Sequence, residues 1–167
     1  MIERVLTGGQ SGVDQAAWRA ARAAGILTGG WMPRGFQTED GPRPEFEAEF
    51  HARARESDAY GERTIANVKD ADAVLIIAGP RHGAGVQLTI DTSRVLGRPY
   101  LVIDPDELGS EQTAREATTW IAQVGARRLN VAGDRNSVDP GIGPRAEAFL
   151  AAVFRARMPA GGATPQQ

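Results

Sequence analysis

Short, continuous apolar runs alternate along the chain with segments in which apolar residues recur at helical spacing. The clearest run, residues 73–78, lies between Asp72 and Gly79 and predicts a central parallel strand that is buried on both faces. Shorter runs predict further strands, and amphipathic segments predict helices. The predicted strands are residues 2–6, 28–32, 73–78, 100–103 and 129–132, and the predicted helices are residues 13–24, 63–70, 86–96, 111–124 and 145–157.

This alternation predicts an α/β fold, with a doubly wound parallel five-stranded sheet and helices on both faces. In such sheets, ligands bind at the carboxyl ends of the strands. If strands one, three and five are neighbours, the turns that follow them form one cleft. We then expect Gly9, Gly83 and Gly133 to gather at one rim of the sheet. The three glycine-rich turns span residues 8–12, 79–85 and 133–137.

The first of these turns joins the first predicted strand to the first predicted helix. Glycines let the backbone approach a ligand closely, and the first amides of a helix favour phosphate or another oxyanion. The alternative is that Gly8, Gly9 and Gly12 only shape a tight turn. The residues alone leave both interpretations open.

Residues 33–60 show no hydrophobic period, although they form a long segment rich in proline, glycine and acidic residues. A segment of this kind is typical of a binding loop or lid. Glu39 and Asp40 form an acidic pair on it, which either covers the ligand or faces solvent. Residues 159–167 are predicted to be a disordered tail, which leaves one ligand-binding domain over residues 1–158.

Composition narrows the functional classes. The 167 residues are 41% hydrophobic and 24% charged, which suits one globular domain with a substantial core. A formal net charge of -2 gives no general attraction to nucleic acid or to an anionic membrane, and no apolar run is long enough to span one. With no cysteine and two histidines, we expect no protein-only metal site and a cytoplasmic location.

Several polar side chains near the expected cleft are candidates for ligand contact. Ser11 either donates a hydrogen bond to a phosphate or caps the first helix. Asp14 either accepts a hydrogen bond from the ligand or from Arg135, or is a solvated acid at the start of the helix. Guanidinium groups suit bidentate phosphate contact, with surface charge as the alternative role. The candidate arginines are Arg34, Arg63, Arg81 and Arg135.

We interpret two other residues, Trp31 and His82, as residues without a direct role in ligand binding. We expect Trp31 to pack at the sheet edge or in a subunit contact, with stacking on a ligand ring as the alternative. His82 is interpreted as a solvated loop residue whose charge is tunable near neutral pH.

Five motifs follow one another along the chain: residues 8–14 (GGQSGVD), 29–35 (GGWMPRG), 39–42 (EDGP), 63–64 with 67–68 (RT and NV) and 129–133 (LNVAG). Together they resemble the family named putative molybdenum carrier, a circularly permuted branch of the SLOG superfamily of Rossmann-like nucleotide-ligand proteins. The resemblance covers almost the whole chain except the tail. It implies a Rossmann-like sheet with strand order 2-1-5-3-4, because the last strand takes the place of the first strand in unpermuted relatives.

The resemblance also implies a function. It implies a pocket for a phosphorylated nucleotide-like or pterin ligand, such as the molybdenum cofactor, in a homo-oligomer that we expect to be a dimer or tetramer. The same superfamily includes the Lonely Guy type nucleoside-phosphate phosphoribohydrolases, which cut the bond between base and ribose.

The comparison with those hydrolases is informative where it fails. Arg63 resembles the arginine that they use, but their threonine and glutamate positions hold Val86 and Thr89 here. Asp91 is the nearest acid and is out of register. Cleavage of a glycosidic bond needs an acid or base, so the missing carboxylate favours a binding protein. If the chain is an enzyme, Arg63 and Asp91 are its predicted catalytic residues.

The sequence therefore predicts a binding or carrier protein for a phosphorylated small molecule, with no nucleic acid or membrane as partner. A nucleotide hydrolase, and a nucleotide sensor whose output is oligomeric state or partner binding, are the alternatives. The predicted ligand-binding residues are Gly8, Gly9, Gln10, Ser11, Gly12, Asp14, Arg34, Arg63, Gly79, Arg81, Gly83, Gly85, Gly133, Arg135 and Ser137.

Overall fold

The computed structural model describes residues 1–59 and 61–156, in which helices cover both faces of a parallel sheet. No helix in these two ranges is long and apolar enough to cross a membrane. The strands are β1 (Arg4–Leu6), β2 (Leu27–Met32), β3 (Gln37–Thr38), β4 (Gly41–Pro42), β5 (Ala52–Ala54), β6 (Ala73–Ile77), β7 (Tyr100–Ile103) and β8 (Arg128–Gly133). The α-helices are α1 (Val13–Ala23), α2 (Phe46–Phe50), α3 (Glu62–Asp70), α4 (Ala84–Val95), α5 (Glu111–Gln123) and α6 (Ile142–Arg155).

The main sheet has six strands in the order β5-β2-β1-β8-β6-β7, and all neighbouring pairs are parallel. The α/β class is confirmed, but the predicted count of five strands is wrong, and the full order differs from the stated order 2-1-5-3-4 by one added strand. The five predicted strands lie in the stated order, as β2-β1-β8-β6-β7, and β5 lies beyond β2. The sixth strand, β5, pairs with the outer edge of β2, where Arg53 lies opposite Trp31. The sequence pattern misses β5 because its residues are Ala-Arg-Ala, none of them β-branched or aromatic.

The last strand of the chain lies in the middle of the sheet. β8 pairs with β1 on one side, where Asn130 lies opposite Leu6, and with β6 on the other, where Gly133 lies opposite Ile77. This position brings the turns that follow β1, β6 and β8 to the same carboxyl edge.

The two faces of the sheet have separate cores. Leu75 and Ile77 of β6 belong to the larger cluster, which includes residues of α1, α5 and α6. Val74 and Ile76 point to the other face and pack with residues of α3 and α4. All five residues of β6 are buried, as predicted for a central strand.

The segment predicted as a loop or lid at residues 33–60 contains ordered elements. β3 and β4 form a small antiparallel hairpin, and α2 and β5 follow it. α2 is held by a third apolar cluster, in which the rings of Phe46 and Phe50 lie 5.5 and 4.8 Å from the ring of Trp18 on α1. The hairpin differs from α2, because none of the residues of the hairpin is buried.

The final helix begins earlier than predicted. α6 starts at Ile142 rather than at residue 145, because Gly141 takes a left-handed conformation before it and Pro144 lies in the first turn, where a missing N–H is tolerated. The predicted end at residue 157 and the predicted tail, residues 159–167, lie outside the described residues.

Candidate functional site

Two adjoining cavities lie at the carboxyl edge of the sheet. The inner cavity, of about 70 Å³, is lined by residues of the turns after β1, β6 and β8 and by Asn130 of β8. The outer cavity, of about 310 Å³, lies beside the start of α3, with Arg34 and Leu88 in its wall. The two cavities share a wall, which we call the junction; it consists of Gln10, Arg63, Thr64, Gly85 and Arg135.

The turn after β1 holds Arg63 at the junction. The Arg63 guanidinium donates a hydrogen bond from Nη1 to the carbonyl oxygen of Gly8 over 2.8 Å. A Cβ atom at Gly8 would overlap this nitrogen, so a larger residue would displace the guanidinium. Gly8 thus allows a cation to lie directly against the turn.

Asp14, in the first turn of α1, lines the inner cavity although it is only 7% exposed. Its Oδ2 accepts the N–H of Gln10 over 3.2 Å. Burial raises the pKa of Asp14 to about 6, against the opposing effects of the Arg63 guanidinium and of backbone N–H groups. The interpretation of Asp14 as a solvated acid is therefore wrong, and its carboxyl group changes protonation close to neutral pH.

The turn after β6 leads into the open first turn of α4. Gly83 is the N-cap residue, and the first turn contains no acidic residue. A Cβ atom at Gly83 or Gly85 would meet no other atom within 4 Å, so these glycines leave room beside the cavity. Because the first amides of a helix have no intrahelical partner and carry partial positive charge, this end of α4 suits an anion.

Two buried polar side chains form the floor of the inner cavity. Asn130 and Asp134, which we call the floor pair, line this cavity and are each 3% exposed. Oδ2 of Asp134 accepts the N–H of Gly79 over 2.9 Å. Over the described ranges of the chain, Oδ1 of Asp134 and Oδ1 of Asn130 have no hydrogen-bond partner. Burial raises the pKa of Asp134, and the N–H of Gly79 opposes this shift.

Glu39, at the tip of the β3–β4 hairpin, ties this hairpin to the turns. Its carboxylate accepts hydrogen bonds from the hydroxyl of Ser11, from the hydroxyl of Ser137 over 2.5 Å and from the N–H of Ser137 over 3.2 Å. Partial burial raises the pKa of Glu39, but these hydrogen bonds outweigh it, and the pKa lies below its usual value. The hairpin therefore covers the turns, whereas Asp40 is exposed.

The structure divides the predicted ligand-binding residues into two groups. The first group lines the inner cavity and consists of Gly8, Gln10, Asp14, Arg63, Gly83, Gly85, Gly133 and Arg135. The second group lines neither cavity and consists of Gly9, Ser11, Gly12, Gly79, Arg81 and Ser137. The remaining predicted residue, Arg34, belongs to neither group: it lines the outer cavity but not the inner cavity. Arg34 pairs with Asp58 over 3.3 Å. Asp91, the second predicted catalytic residue, lies outside both cavities and accepts a hydrogen bond from Gln87.

Gly9 and Ser11, in the second group, face away from the inner cavity. Gly9 has a φ of 72°, and a Cβ atom there would lie 2.7 Å from Met32, so Gly9 faces the aromatic cluster and not the cavity. The expectation that Gly9 shares a rim with Gly83 and Gly133 is therefore wrong, and Gly8 takes that place. Ser11 does not cap α1, because Gly12 is the N-cap residue and no side chain caps the helix.

Trp31 and His82 have local partners. Trp31 lies on β2, one strand in from the edge strand β5, and not at the sheet edge as expected. Its Nε1 donates to Asp70 over 2.9 Å, and Arg53 lies 4.3 Å above its ring. The ring nitrogens of His82 lie 3.0 Å from Oε1 of Gln87 and 2.9 Å from the carbonyl oxygen of Gly79. Hydrogen bonding to Gln87 and to Gly79 raises the pKa of His82.

Sequence reasoning did not select the floor pair, Thr64 or Thr89, all of which line the inner cavity. The available signal was Asn130, a polar residue in the otherwise apolar run of β8. No group of three or more histidine, aspartate or glutamate side chains is placed to hold a metal ion within residues 1–59 and 61–156.

Comparison with known proteins supports the family assignment. The model of the circularly permutated YpsA SLOG family matches residues 5–154. A crystal structure at 1.45 Å resolution of a protein named "Putative molybdenum carrier protein", from Syntrophus aciditrophicus SB, is similar to this chain with a TM-score of 0.84. The two sequences are 32% identical, and the similarity covers 91% of this chain and 94% of that chain. No curated protein matches this chain. Because the family match extends over nearly the whole sequence, the chain belongs to the circularly permutated YpsA SLOG family.

Proposed function

We propose that this protein binds and carries a phosphorylated small molecule, nucleotide-like or pterin, in the two adjoining cavities. The observation that carries the proposal is the junction, where Arg63 and Arg135 line both cavities beside the open start of α4. Guanidinium groups bind phosphate oxygens in pairs, and helix-start amides add further donors. A phosphate at the junction would leave both cavities available for the rest of the ligand.

The distribution of charge supports this placement of the phosphate. In the wall of the outer cavity, Arg34 pairs with Asp58 and Arg55 pairs with Glu62. Asp14 and Asp134 make the inner cavity acidic, and the arginines that line both cavities are Arg63 and Arg135. An anionic group is repelled from the acidic side and attracted to the arginines. At the junction, two arginines and the start of α4 lie side by side.

The molybdenum cofactor, a phosphorylated pterin, is the ligand that the name of the structural relative suggests. Guanidinium groups at the junction suit its phosphate, and the unpaired Oδ1 atoms of Asn130 and Asp134 are separate acceptors in the wall of the inner cavity. We propose storage or delivery of such a cargo as the task of the protein. Its predicted cytoplasmic location and its predicted homo-oligomeric state stay predictions.

The test is native mass spectrometry of protein purified without added cofactor, followed by measurement of ligand retention. We expect bound mass in the wild type and at least tenfold lower retention in Arg63→Ala and Arg135→Ala. Arg81→Ala is the matched control, because Arg81 is exposed and lines neither cavity. Equal retention in all four proteins would refute the proposal.

A nucleotide phosphoribohydrolase is the second candidate, favoured by one observation. Asp14 lies in the inner cavity with a pKa of about 6, near Arg63, and could replace the missing glutamate as the acid or base. This candidate requires release of free base from a panel of nucleoside monophosphates, with loss of turnover in Asp14→Asn and retained turnover in Asp91→Asn. An absence of free base with wild-type protein would exclude it.

A further inference from the structure

The carboxylate of Glu39 is held by donors from two turns at the carboxyl edge of the sheet. Its Oε1 accepts the Ser11 hydroxyl and the N–H of Ser137, the latter over 3.2 Å, and its Oε2 accepts the Ser137 hydroxyl over 2.5 Å. Nε of Arg135 lies 3.9 Å from Oε2. We call this set of donors, from Ser11, Arg135 and Ser137, the carboxylate site. It directs two hydroxyl groups, a backbone N–H and a guanidinium at one negatively charged group.

The carboxylate site is assembled by the turns themselves. The hydroxyl oxygen of Ser11 also accepts the N–H of Asn136 over 3.1 Å, which joins the turn after β1 to the turn after β8. The N–H of Val13 donates to the carbonyl oxygen of Asp134 over 3.2 Å and joins the same two turns. Because neither contact involves the hairpin, the donors stay together when the carboxylate leaves.

The β3–β4 hairpin that carries Glu39 can leave as a unit. None of residues 37–42 is buried, and each strand of the hairpin has only two residues. The Thr38 hydroxyl donates to the Gly41 carbonyl over 2.7 Å and accepts the N–H of Asp40 over 3.2 Å. Lifting the hairpin would therefore expose little apolar surface, and these internal hydrogen bonds would remain.

The donors of the carboxylate site have the chemistry of a phosphate site. Hydroxyl groups, turn amides and arginine are the groups with which proteins bind phosphate oxygens. Partial burial raises the pKa of Glu39, but hydrogen bonds from Ser11 and Ser137 outweigh it and hold the pKa below its usual value, so the donors favour a negative charge. The site also lies at the carboxyl edge of a parallel sheet, where ligands bind.

We propose that the carboxylate site is an oxyanion-binding site in which Glu39 is an exchangeable occupant, and that a phosphate group displaces Glu39 and lifts the hairpin. The exchange replaces one negative charge by another, so Arg135 keeps a counterion, and water hydrates the released carboxylate. A compound without an anionic group cannot replace Glu39, which favours phosphorylated ligands. This second phosphate position goes beyond the proposed function and does not require Arg63, since Ser11 and Ser137 line neither cavity.

The first test is isothermal titration of the full chain with inorganic phosphate at constant ionic strength. We expect Glu39→Gln to bind phosphate about tenfold more tightly than the wild type, because a neutral amide competes less well for these donors. Asp40→Asn is the matched control, since it makes the same change of charge at the next, exposed residue, and its affinity should equal that of the wild type. No gain in Glu39→Gln, or an equal gain in Asp40→Asn, would overturn the inference.

Double variants show where the additional phosphate binds. Ser137→Ala combined with Glu39→Gln should remove the gain, because the serine hydroxyl belongs to the carboxylate site. Arg63→Ala combined with Glu39→Gln should keep the gain. The opposite pattern would place the phosphate at the junction and overturn the inference.

The second test needs no substitution and so does not depend on the folding of a variant. Saturating phosphate should speed amide hydrogen exchange at residues 37–41 of the wild type, because the hairpin loses its attachment. Slower or unchanged exchange would overturn the inference. The failure of the proposed function looks different: Arg63→Ala alone would bind phosphate as tightly as the wild type, whatever the hairpin does.

Discussion

Replacement of Asp14 by asparagine should stabilise the ligand-free protein at neutral pH. The Asp14 carboxyl is buried, and its burial raises the pKa from the usual 3.8 to about 6. Above pH 6 the folded protein therefore holds a buried negative charge that the unfolded chain would expose to water. Asparagine keeps an oxygen that can accept the Gln10 N–H, but it carries no charge.

The size and pH range of the effect follow from linkage. A rise from 3.8 to about 6, at about 1.4 kcal/mol per pKa unit, corresponds to about 3 kcal/mol. Because the folded-state pKa of Asp14 is raised, the stability that the neutral carboxyl provides is complete below pH 3.8 and is lost as the pH rises through 6. About 2 kcal/mol of this loss falls between pH 4.5 and pH 8.

The assay is urea unfolding of the apo proteins at several pH values, followed by tryptophan fluorescence, since Trp18 is fully buried. The free energy of unfolding of Asp14→Asn, relative to the wild type, should rise by about 2 kcal/mol from pH 4.5 to pH 8. Asp91→Asn makes the same chemical change at an exposed site and should differ from the wild type by about 0.5 kcal/mol or less. A difference for Asp14→Asn that does not vary with pH would refute the reasoning.

Three further perturbations test other parts of the structure. Gly30→Ala should destabilise the fold by about 3 kcal/mol or more in urea unfolding, because φ is 134° and a Cβ atom would overlap the backbone of Thr7, directly after β1. Gly97→Ala is the matched control, because φ is also positive there but no atom lies within 4 Å of the added Cβ. It should lower the free energy of unfolding by about 1 kcal/mol. An equal loss in both variants would contradict the predicted overlap at Gly30. Glu39→Gln should weaken the attachment of the hairpin, which would be seen as faster amide hydrogen exchange at residues 37–41. Unchanged exchange would show that the hydrogen bonds of Glu39 to Ser11 and Ser137 do not hold the hairpin in place. Gln87→Ala should lower the pKa of His82 toward 6.5 in an NMR titration, because it removes the side-chain hydrogen bond that raises this pKa. An unchanged pKa would show that the hydrogen bond to Gly79, and not the one to Gln87, causes the shift.

The sheet and the place of the site could be predicted because they depend on local patterns. The apolar run of β6 and the glycine-rich turns after β1, β6 and β8 are continuous in sequence, and the rule for ligand position in parallel sheets then locates the cleft. Edge strand β5 could not be predicted in this way, because three residues without β-branched side chains give no signal and its pairing with β2 is decided by tertiary packing.

Finer features of the site depend on contacts between distant residues. Gly8 and Gly9 are equivalent in the sequence pattern, but only Gly8 faces the cavity, because Met32 and Trp18 fill the space behind Gly9. The burial of Asp14 and its nearness to Arg63 likewise appear only when the fold brings the start of α3 beside the turn that precedes α1, where Arg63 donates to Gly8. Whether an asparagine is paired, as Asn67 is, or unpaired, as Asn130 is, also depends on the backbone that the fold places beside it.

The central place of β8 has a consequence for synthesis on the ribosome. β1 can pair with β2 early, but its second partner is β8, where Arg4 lies opposite Arg128. Until residue 128 has been translated, β1 and β6 share no neighbour. A nascent chain that stops before residue 128 cannot close the sheet, and it lacks Asn130, Asp134 and Arg135 as well. If the protein carries a cargo as proposed, the candidate site is complete only after residue 135 has been translated, so a shorter nascent chain would not trap that cargo.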